Sequence, residues 1–411
     1  MPEHPAVTAA LVAGEEDHGD VTVEVRSPWD GRLVGAVPWL GADEARTAVS
    51  AAWDATQAGL PAWERAAILD RVATDIASRR EEFGALLSSE NGKPITQALL
   101  EVDRCIQTLI FSAAEARTLS GRGVPLDAHP AGVGHLGLTV RVPVGVVGAI
   151  TPFNFPLTLA AHKIGPAVAA GCGVVLKPAD KAPLVAHELV RSFHAAGLPR
   201  AWMSVLVGDP EPIADVFVSD DRVGLITFTG SAAIGWSLKS KAPQKRVTLE
   251  LGNSTPVIVC ADGDVETAAT LSAASGYAFS GQSCISVQRA IVDPAVHDAF
   301  VDALKAAAEA HIPGDPADPA TTLGPPITTD ARDRVSDWIG RAVNAGAIEV
   351  TGGTFGDRFA RPTVLDGVEP DQPVWSREAF GPVISVNESI TLPSGIVHSP
   401  TQLVYPGVCA E

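Results

Sequence analysis

The chain has 411 residues, 46% of them hydrophobic, and a net charge of −18; it is long enough for two domains with separate cores, and its acidity disfavours nucleic acid and anionic membrane surfaces as partners. The N-terminus has neither the basic stretch nor the apolar core of a secretory signal, and no apolar run is long enough to span a membrane. The five cysteines form no CxxC pair, which argues against a metal site and fits reduced thiols in a cytoplasmic protein.

Residues 42–120 are predicted to be helical. Apolar side chains recur at helical spacing around residues 68–76 and again around 99–110. Breaks at 59–61 (GLP) and 91–94 (NGKP) divide this region into separate helices. Asparagine, glycine and proline are good helix-stop residues, so the second break is interpreted as structural only.

From residue 139 onward, short apolar runs alternate with helices. The pattern predicts strands at 144–150, 173–177, 203–207, 225–229 and 247–251, with helices at 157–170, 183–196, 210–218 and from 231 onward. Continuously apolar strands joined by right-handed crossovers predict a doubly wound, Rossmann-like α/β fold around a parallel sheet. Such folds bind ligands at the carboxyl ends of their strands. Asn154, Lys177, Gly230 and Glu250 all follow or end predicted strands, which indicates a site there.

Residues 255–385 repeat the alternation and predict a second α/β domain. Its strands are expected at 256–260 and 287–292, and its helices at 264–280, 295–310 and 330–345. The cleft between the two domains is the expected active site. The segment 135–143 alternates between apolar and other residues and predicts an edge strand, whereas the chain after residue 386 has no clear period and is predicted to be irregular.

Two short runs carry groups suited to covalent catalysis. Cys284 lies on a glycine-containing loop in FSGQSCISVQR, and Glu250 ends the apolar run RVTLELG. A thiol and a carboxylate placed in this way can make a nucleophile with its own base. The amide of Asn154, in TPFNFP, is suited to holding an oxyanion. The run FTGS at 228–231 ends a strand and opens a helix, as nucleotide sites do. Together they indicate thiol attack on a carbonyl beside a dinucleotide.

Each of these residues also has a simpler structural interpretation. A lone cysteine is usually a small buried apolar residue, which is the interpretation for Cys105, Cys172 and Cys260. Cys284 differs because glycine, glutamine and serine precede it. Glu250 fits an ion pair or helix cap as well as a base, Lys177 fits a surface lysine, and Asn154 fits a turn residue. The GxGxxG fingerprint is absent, so a nucleotide would be held in another way.

The chain resembles the aldehyde dehydrogenase superfamily over about residues 20–386. The resemblance rests on TPFNFP, the lysine of LKPA, FTGS, LELG, the cysteine of GQSC and the EAFGPV run at 378–383, all in family order and near family spacing. It implies a cofactor domain and a catalytic domain with a partial β oligomerisation arm. The implied division is 1–127 for the N-terminal helical part of the cofactor domain, 128–145 for the arm, 146–251 for the dinucleotide-binding domain, 252–386 for the catalytic domain and 387–411 for an atypical tail.

The resemblance assigns roles to individual residues. Cys284 is the implied nucleophile, Glu250 the base for deacylation, and the Asn154 amide, with the backbone N–H of Cys284, the oxyanion hole. Implied cofactor contacts are Lys177 and Asp180 at the adenine ribose, Ser231 at the pyrophosphate, Glu378 and Phe380 at the nicotinamide end, and also Thr151, Pro152, Phe153, Gly230, Leu251 and Gly252. No metal is implied. The expected cofactor is NAD, because Asp180 can accept from a ribose hydroxyl and repel a 2′-phosphate; its short reach leaves NADP as the alternative.

The implied reaction is oxidation of an aldehyde to a carboxylic acid through a thiohemiacetal and a thioester on Cys284. GQSCISVQR resembles a branch that acts on small oxygenated aldehydes such as lactaldehyde or glyceraldehyde derivatives. Two alternatives stay open: a CoA-acylating dehydrogenase, against which Glu250 argues, and a catalytically impaired relative that still binds nucleotide. A plain thiol hydrolase would leave the nucleotide positions without a purpose.

Two departures from the family pattern stand out. Asn253 occupies the position of a second glycine after LELG, where a strand-end glycine can be needed for unusual backbone angles. The similarity also stops near residue 386, where family members continue with a substrate-mouth segment and an oligomerisation strand. Full-length relatives are expected to be homo-oligomers in which the arm pairs with that strand. A truncated or altered C-terminus therefore predicts a small or heterogeneous oligomer with weak activity.

Overall fold

The chain divides into two units in the computed structural model, which describes residues 7–254, 256–353 and 361–388. The N-terminal unit comprises Met1–Val25, Leu33–Leu86 and Leu99–Glu250, and the C-terminal unit comprises Arg26–Arg32, Leu87–Ala98 and Leu251–Glu411. Two short segments from the N-terminal part of the chain therefore group with the C-terminal unit. The prediction that the chain is irregular after residue 386 is wrong for Asn387 and Glu388, which continue a strand; the tail from residue 389 lies outside the described residues.

Between residues 139 and 250 the chain alternates between strands and helices, as predicted. In the whole segment up to residue 250, the strands are β1 (Ala10–Val12), β2 (Glu15–Asp17), β3 (Thr22–Arg26), β4 (Leu33–Leu40), β5 (Gly123–Val124), β6 (Gly137–Leu138), β7 (Val146–Ile150), β8 (Val174–Lys177), β9 (Met203–Val205), β10 (Val207–Gly208), β11 (Val223–Thr229) and β12 (Arg246–Glu250). The helices are α1 (Ala42–Gln57), α2 (Ala62–Ser78), α3 (Arg80–Asn91), α4 (Ile95–Thr118), α5 (Pro156–Ala169), α6 (Leu184–Ala195), α7 (Pro210–Ser219) and α8 (Ala232–Lys241).

A seven-stranded sheet in the order β12-β11-β7-β8-β9-β1-β2 organises the N-terminal unit. The strands from β12 to β9 in this order are parallel, and β1 and β2 add an antiparallel edge. The chain winds from β7 through β8 to β9 on one side and places β11 and β12 on the other, which confirms the doubly wound prediction. The reversal of direction lies between β7 and β11, where folds of this kind bind ligands. β12 is the other edge of the sheet.

One predicted strand in this unit is divided between two sheets. The apolar run at 203–207 forms β9 in the large sheet, and then β10, which pairs with β4 in a three-stranded sheet with β3. The strands β1 to β4 were not predicted. Strands β2 and β3 are short and carry exposed polar residues, and β1 has only three residues. The apolar run of β4 was a usable signal that the sequence prediction missed.

The C-terminal unit contains a second sheet, as predicted. Its strands are β13 (Pro256–Val259), β14 (Arg289–Val292), β15 (Ile348–Thr351), β16 (Thr363–Asp366) and β17 (Val383–Glu388), in the order β13-β14-β17-β16-β15 with only β15 antiparallel. Its helices are α9 (Val265–Gly276), α10 (His297–Glu309), α11 (Thr329–Asn344) and α12 (Pro373–Ser376). The predicted helix over 264–280 was too long, because Phe279 and Ser280 adopt left-handed backbone angles that end it.

The predicted edge strand over 135–143 is limited to β6, which pairs with β5. Strands β5 and β6 share two residue pairs, and the apolar side chains around them stay in solvent. Leu136, Leu138, Val140 and Val142 are between 69% and 85% exposed. Such a row of exposed apolar residues is typical of an association surface. Separately, no helix among the described residues is long and apolar enough to cross a membrane.

Replacing Leu138 and Val140 together by Ser should reduce concentration-dependent association, because it removes apolar surface that water contacts in the single chain. The melting temperature should change little, since both side chains are exposed. Light scattering over a concentration series would measure the mass distribution. Val21→Ser, at an exposed valine outside this row, is the matched control. An unchanged distribution in the double variant would refute an association role for the row.

Candidate active site

The strand register of the N-terminal unit places four predicted site residues at the carboxyl-terminal end of the parallel strands, which is called the sheet edge below. Glu250 lies opposite Thr229, and Lys177 lies opposite Ile150, at the carboxyl ends of neighbouring strands. The turns that follow are tied to those ends: Gly230 N donates to the Glu250 carbonyl at 3.0 Å, and Thr151 N donates to the Lys177 carbonyl at 3.2 Å. This edge therefore carries Asn154, Lys177, Gly230 and Glu250.

The segment TPFN connects β7 to α5 and keeps its polar side chains inside. Asn154 is 3% exposed, and its Oδ1 accepts from Phe155 N at 3.1 Å. Thr151 is also buried, and its Oγ1 has no hydrogen-bond partner among the described residues. Pro152 and Phe153 are half-buried. A buried hydroxyl without a partner next to the β7–β11 reversal is suited to contact with a ligand.

Lys177 is buried and is not the surface lysine that the simpler interpretation expected. It is 6% exposed, and its Nζ donates to the Pro178 carbonyl at 3.2 Å. Burial lowers the pKa of Lys177, while the charges of Asp180 and Asp209 act in the opposite direction. Asp180 itself is half-buried and forms an ion pair with Lys181 at 3.4 Å. A desolvated cation with a nearby carboxylate is a pair of groups able to bind ribose hydroxyls.

The start of α8 supplies the predicted anion-binding feature. Ser231 precedes the helix and is exposed, and its side chain makes no capping hydrogen bond. Gly230 packs so closely on the Phe228 ring that an added Cβ would lie 2.7 Å from it. The first amides of an uncapped helix and its dipole favour negative charge, so this turn fits a phosphate group.

Glu250 is exposed, because it ends an edge strand whose residues are only partly covered. Close to it lies Lys163, which the sequence analysis missed. Lys163 is 7% exposed, and its Nζ donates to Thr227 Oγ1 at 3.1 Å and to Thr229 Oγ1 at 2.8 Å. Burial lowers its pKa to about 8, against the influence of the Glu250 charge. A lysine within the largely apolar helix α5 was the available sequence signal.

A cavity of about 540 Å³ lies beside α4 and α5. Its wall includes the neighbour of Lys163, His162, and several polar and aromatic side chains: Gln107, Thr108, Phe111, Ser112 and Glu115. The volume falls within the range of small-molecule sites, and Leu119, Pro166, Ala169 and Ala170 complete a lining that is mainly apolar with a few polar side chains.

In the C-terminal unit, Asn253 links the loop of Cys284 to Glu378. The Asn253 side-chain amide donates to the Cys284 carbonyl, and its backbone N donates to Glu378 Oε1 at 3.3 Å. Gln288 Nε2 donates to the Asn253 carbonyl at 3.1 Å. Cys284 itself is half-buried. The residue that departs from the family pattern thus connects the implied nucleophile with an implied cofactor ligand.

The neighbouring Gly252 lies against the end of the Glu378 side chain. A Cβ at residue 252 would displace the Glu378 carboxylate. Asn253 is not among the non-glycine residues with positive φ, so the suspected need for glycine at 253 was wrong. Burial raises the pKa of Glu378, against the Asn253 amide and the charge of Arg334. Phe380, two residues further on, has a left-handed φ of 50°.

The other cysteines in the described residues behave largely as expected. Cys105 and Cys172 are buried, and burial raises the pKa of each thiol. Cys260 is only half-buried. No group of three histidine, cysteine or carboxylate side chains in the described part of the chain is arranged to hold a metal ion.

Comparison with known proteins shows the family of the chain. Residues 15–396 match the aldehyde dehydrogenase family. The 3-sulfolactaldehyde dehydrogenase of Priestia aryabhattai is 39% identical over 375 residues, which are 91% of this chain and 79% of that protein. The NAD-dependent aldehyde dehydrogenase of Sinorhizobium meliloti has a TM-score of 0.89 at 34% identity, covering 94% of this chain and 78% of that one. The glyceraldehyde-3-phosphate dehydrogenase of Methanocaldococcus jannaschii, complexed with NADP, has a TM-score of 0.85 at 34% identity. The match covers 89% of this chain and 80% of that one. The chain therefore belongs to the aldehyde dehydrogenase family.

Proposed function

We propose that the chain oxidises an aldehyde to a carboxylic acid with NAD as cofactor and NADP as the alternative. The observation that carries the proposal is the carboxyl-terminal end of the parallel sheet, where Lys177 and Glu250 end strands and Gly230 and Asn154 follow strands. The uncapped α8 start suits a pyrophosphate, Lys177 and Asp180 suit a ribose, and Glu378 suits the second ribose. When bound, the nicotinamide accepts the hydride that leaves the substrate.

The protein's own groups supply the remaining chemistry. The Cys284 thiolate attacks the aldehyde carbon, and the Asn154 amide donates to the oxygen as it becomes negative. Loss of hydride converts this adduct into a thioester. Glu250, whose exposed position gives it access to water, takes a proton from a water molecule that attacks the thioester and releases the acid. Lys163 lies close enough to Glu250 for the two charges to interact.

We infer that the substrate is a small oxygenated aldehyde. The cavity wall is mainly apolar, and Gln107, Thr108 and His162 add polar side chains that can bind hydroxyl groups of a short substrate. The 3-sulfolactaldehyde dehydrogenase and the glyceraldehyde-3-phosphate dehydrogenase among the similar proteins carry names of substrates of this kind. A panel of hydroxylated and unsubstituted short aldehydes, each assayed with both cofactors, tests this inference.

Cys284→Ala should lower turnover by at least about a thousandfold, because no covalent adduct can form. Cofactor binding, measured by titration of intrinsic fluorescence, should be nearly unchanged. Cys260→Ala is the matched control, since it removes a half-buried thiol from the same unit. Turnover above a few per cent of wild type in Cys284→Ala would rule out the proposed mechanism, and a wild-type chain that binds cofactor without turnover would support an impaired relative.

Glu250→Gln should lose steady-state turnover by about 10²- to 10⁴-fold, the usual contribution of a general base. A single burst of reduced cofactor should survive, because hydride transfer precedes hydrolysis of the thioester. Rapid mixing followed at the absorbance of NADH measures both phases. Unchanged steady-state turnover would exclude Glu250 as the base. Formation of acyl-CoA by the wild type, when CoA is added, would instead favour the acylating alternative.

The ratio of kcat/KM with NAD to that with NADP should exceed one and should fall by about fivefold in Asp180→Ser. The loss corresponds to about 1 kcal/mol, the repulsion between one carboxylate and a phosphate charge across water. Asp209→Asn is the comparison, because Asp209 also lies near Lys177 but was not predicted to meet the ribose. A wild-type preference for NADP, or a ratio that Asp180→Ser leaves unchanged, would contradict this role.

A further inference from the structure

The turn that precedes the Cys284 loop has an unfavourable backbone. Phe279, Ser280 and Gly281 have φ values of 45°, 56° and 71°, all in the left-handed region. Residues with a Cβ rarely adopt this region, and two in succession are rarer still. Such a turn persists only where its surroundings hold it, and strained turns concentrate at functional sites. The half-buried thiol of Cys284 follows shortly after this turn.

Two side chains from the 87–98 segment hold the turn. Gln97 Oε1 accepts from Phe279 N at 2.8 Å, and the Lys93 ammonium lies 4.7 Å from the centre of the Phe279 ring. Lys93 and Phe279 are both fully buried, so the contact between cation and ring is not weakened by water. These contacts explain physically why this short segment groups with the C-terminal unit.

Further contacts prevent the turn from relaxing. Ser280 Oγ donates to the Gly324 carbonyl at 2.6 Å, and Gln282 uses both ends of its amide, donating to the Phe279 carbonyl at 3.3 Å and accepting from Ile327 N at 2.9 Å. Gly281 packs directly on the backbone of Gly381, leaving no room for a Cβ. Gln97 is itself held, because its Nε2 donates to the Thr322 carbonyl at 3.0 Å.

We propose that Lys93 and Gln97 are positioning residues for the Cys284 thiol. They fix the left-handed turn from which the loop 282–284 leaves, and the turn sets where the sulfur points. The proposal rests on the assignment of Cys284 as the nucleophile. It also extends the interpretation of the NGKP break, which ends α3 as expected but in addition supplies the cation that supports the turn. A small displacement of a reacting group can lower rates strongly.

The test compares the rates at which iodoacetamide alkylates Cys284 and Cys260, measured by mass spectrometry on the full chain. Gln97→Leu and Lys93→Met should each lower the ratio of the Cys284 rate to the Cys260 rate by about tenfold. Lys93→Arg, which keeps a cation over the ring, should restore most of the ratio. Thr96→Ala, an exposed change beside Gln97, should leave it unchanged.

A ratio that is unchanged or higher in both Gln97→Leu and Lys93→Met overturns the proposal, and a fall in only one variant overturns it for the other residue. Cys105 is fully buried, so its lack of reaction with iodoacetamide shows that a variant is folded. The fold should tolerate Gln97→Leu, because the Gln97 side chain is half-exposed. Alkylation needs no turnover. If Cys284→Ala retains turnover, the proposed function fails; if it does not and the ratio is unchanged, only the positioning role fails.

Discussion

The register between β12, β11, β7 and β8 is the constraint on which the N-terminal part of the site depends. A slip of one residue in a parallel strand would turn each side chain to the other face of the sheet and carry the following turn along with it. The buried apolar run of β7 holds its register against β8 and β11. Because these strands end together, turns that are far apart in the sequence deliver an amide, a lysine, a helix start and a carboxylate to one edge.

In the C-terminal unit, hydrogen bonds and not strand register fix the position of the thiol. This half-buried thiol does not follow a strand of the sheet but lies on a loop, where backbone register alone cannot define its position. Hydrogen bonds replace the register: Asn253 holds the loop from one side, and the left-handed turn at Phe279–Gly281 holds it from the other. The loop therefore depends on individual side chains, so single substitutions should affect it more than they affect the sheet edge.

The parts of the fold that the sequence predicted are those with a continuous pattern. The buried strands β7 and β8 and the helix α5 between them follow from apolar runs and helical spacing, and the strand ends located Asn154 and Lys177. Short polar strands such as β2 carry no such pattern, because they are partners of an edge and not part of a core. Phe279 and Ser280 gave no sign of a left-handed turn, since that conformation is imposed by contacts with residues distant in sequence. The contact of Gln97 with this turn could not be predicted from the sequence for the same reason.

The burial of Lys163 lowers the free energy of unfolding. Its pKa is lowered from 10.5 to about 8, so the unfolded chain binds its proton more tightly than the folded chain does. The cost is fully present below pH 8, where both states are protonated, and it disappears as the pH rises from about 8 to 10.5. A shift of this size corresponds to about 3 kcal/mol near neutral pH, a large part of the stability of an ordinary domain.

The two threonine hydroxyls that accept from Lys163 offset only part of this cost. An apolar residue would fit the surrounding helix at no such cost, and groups with strongly shifted pKa values concentrate where chemistry needs them. The burial of this lysine next to Glu250 therefore supports the proposal that Glu250 takes part in the reaction.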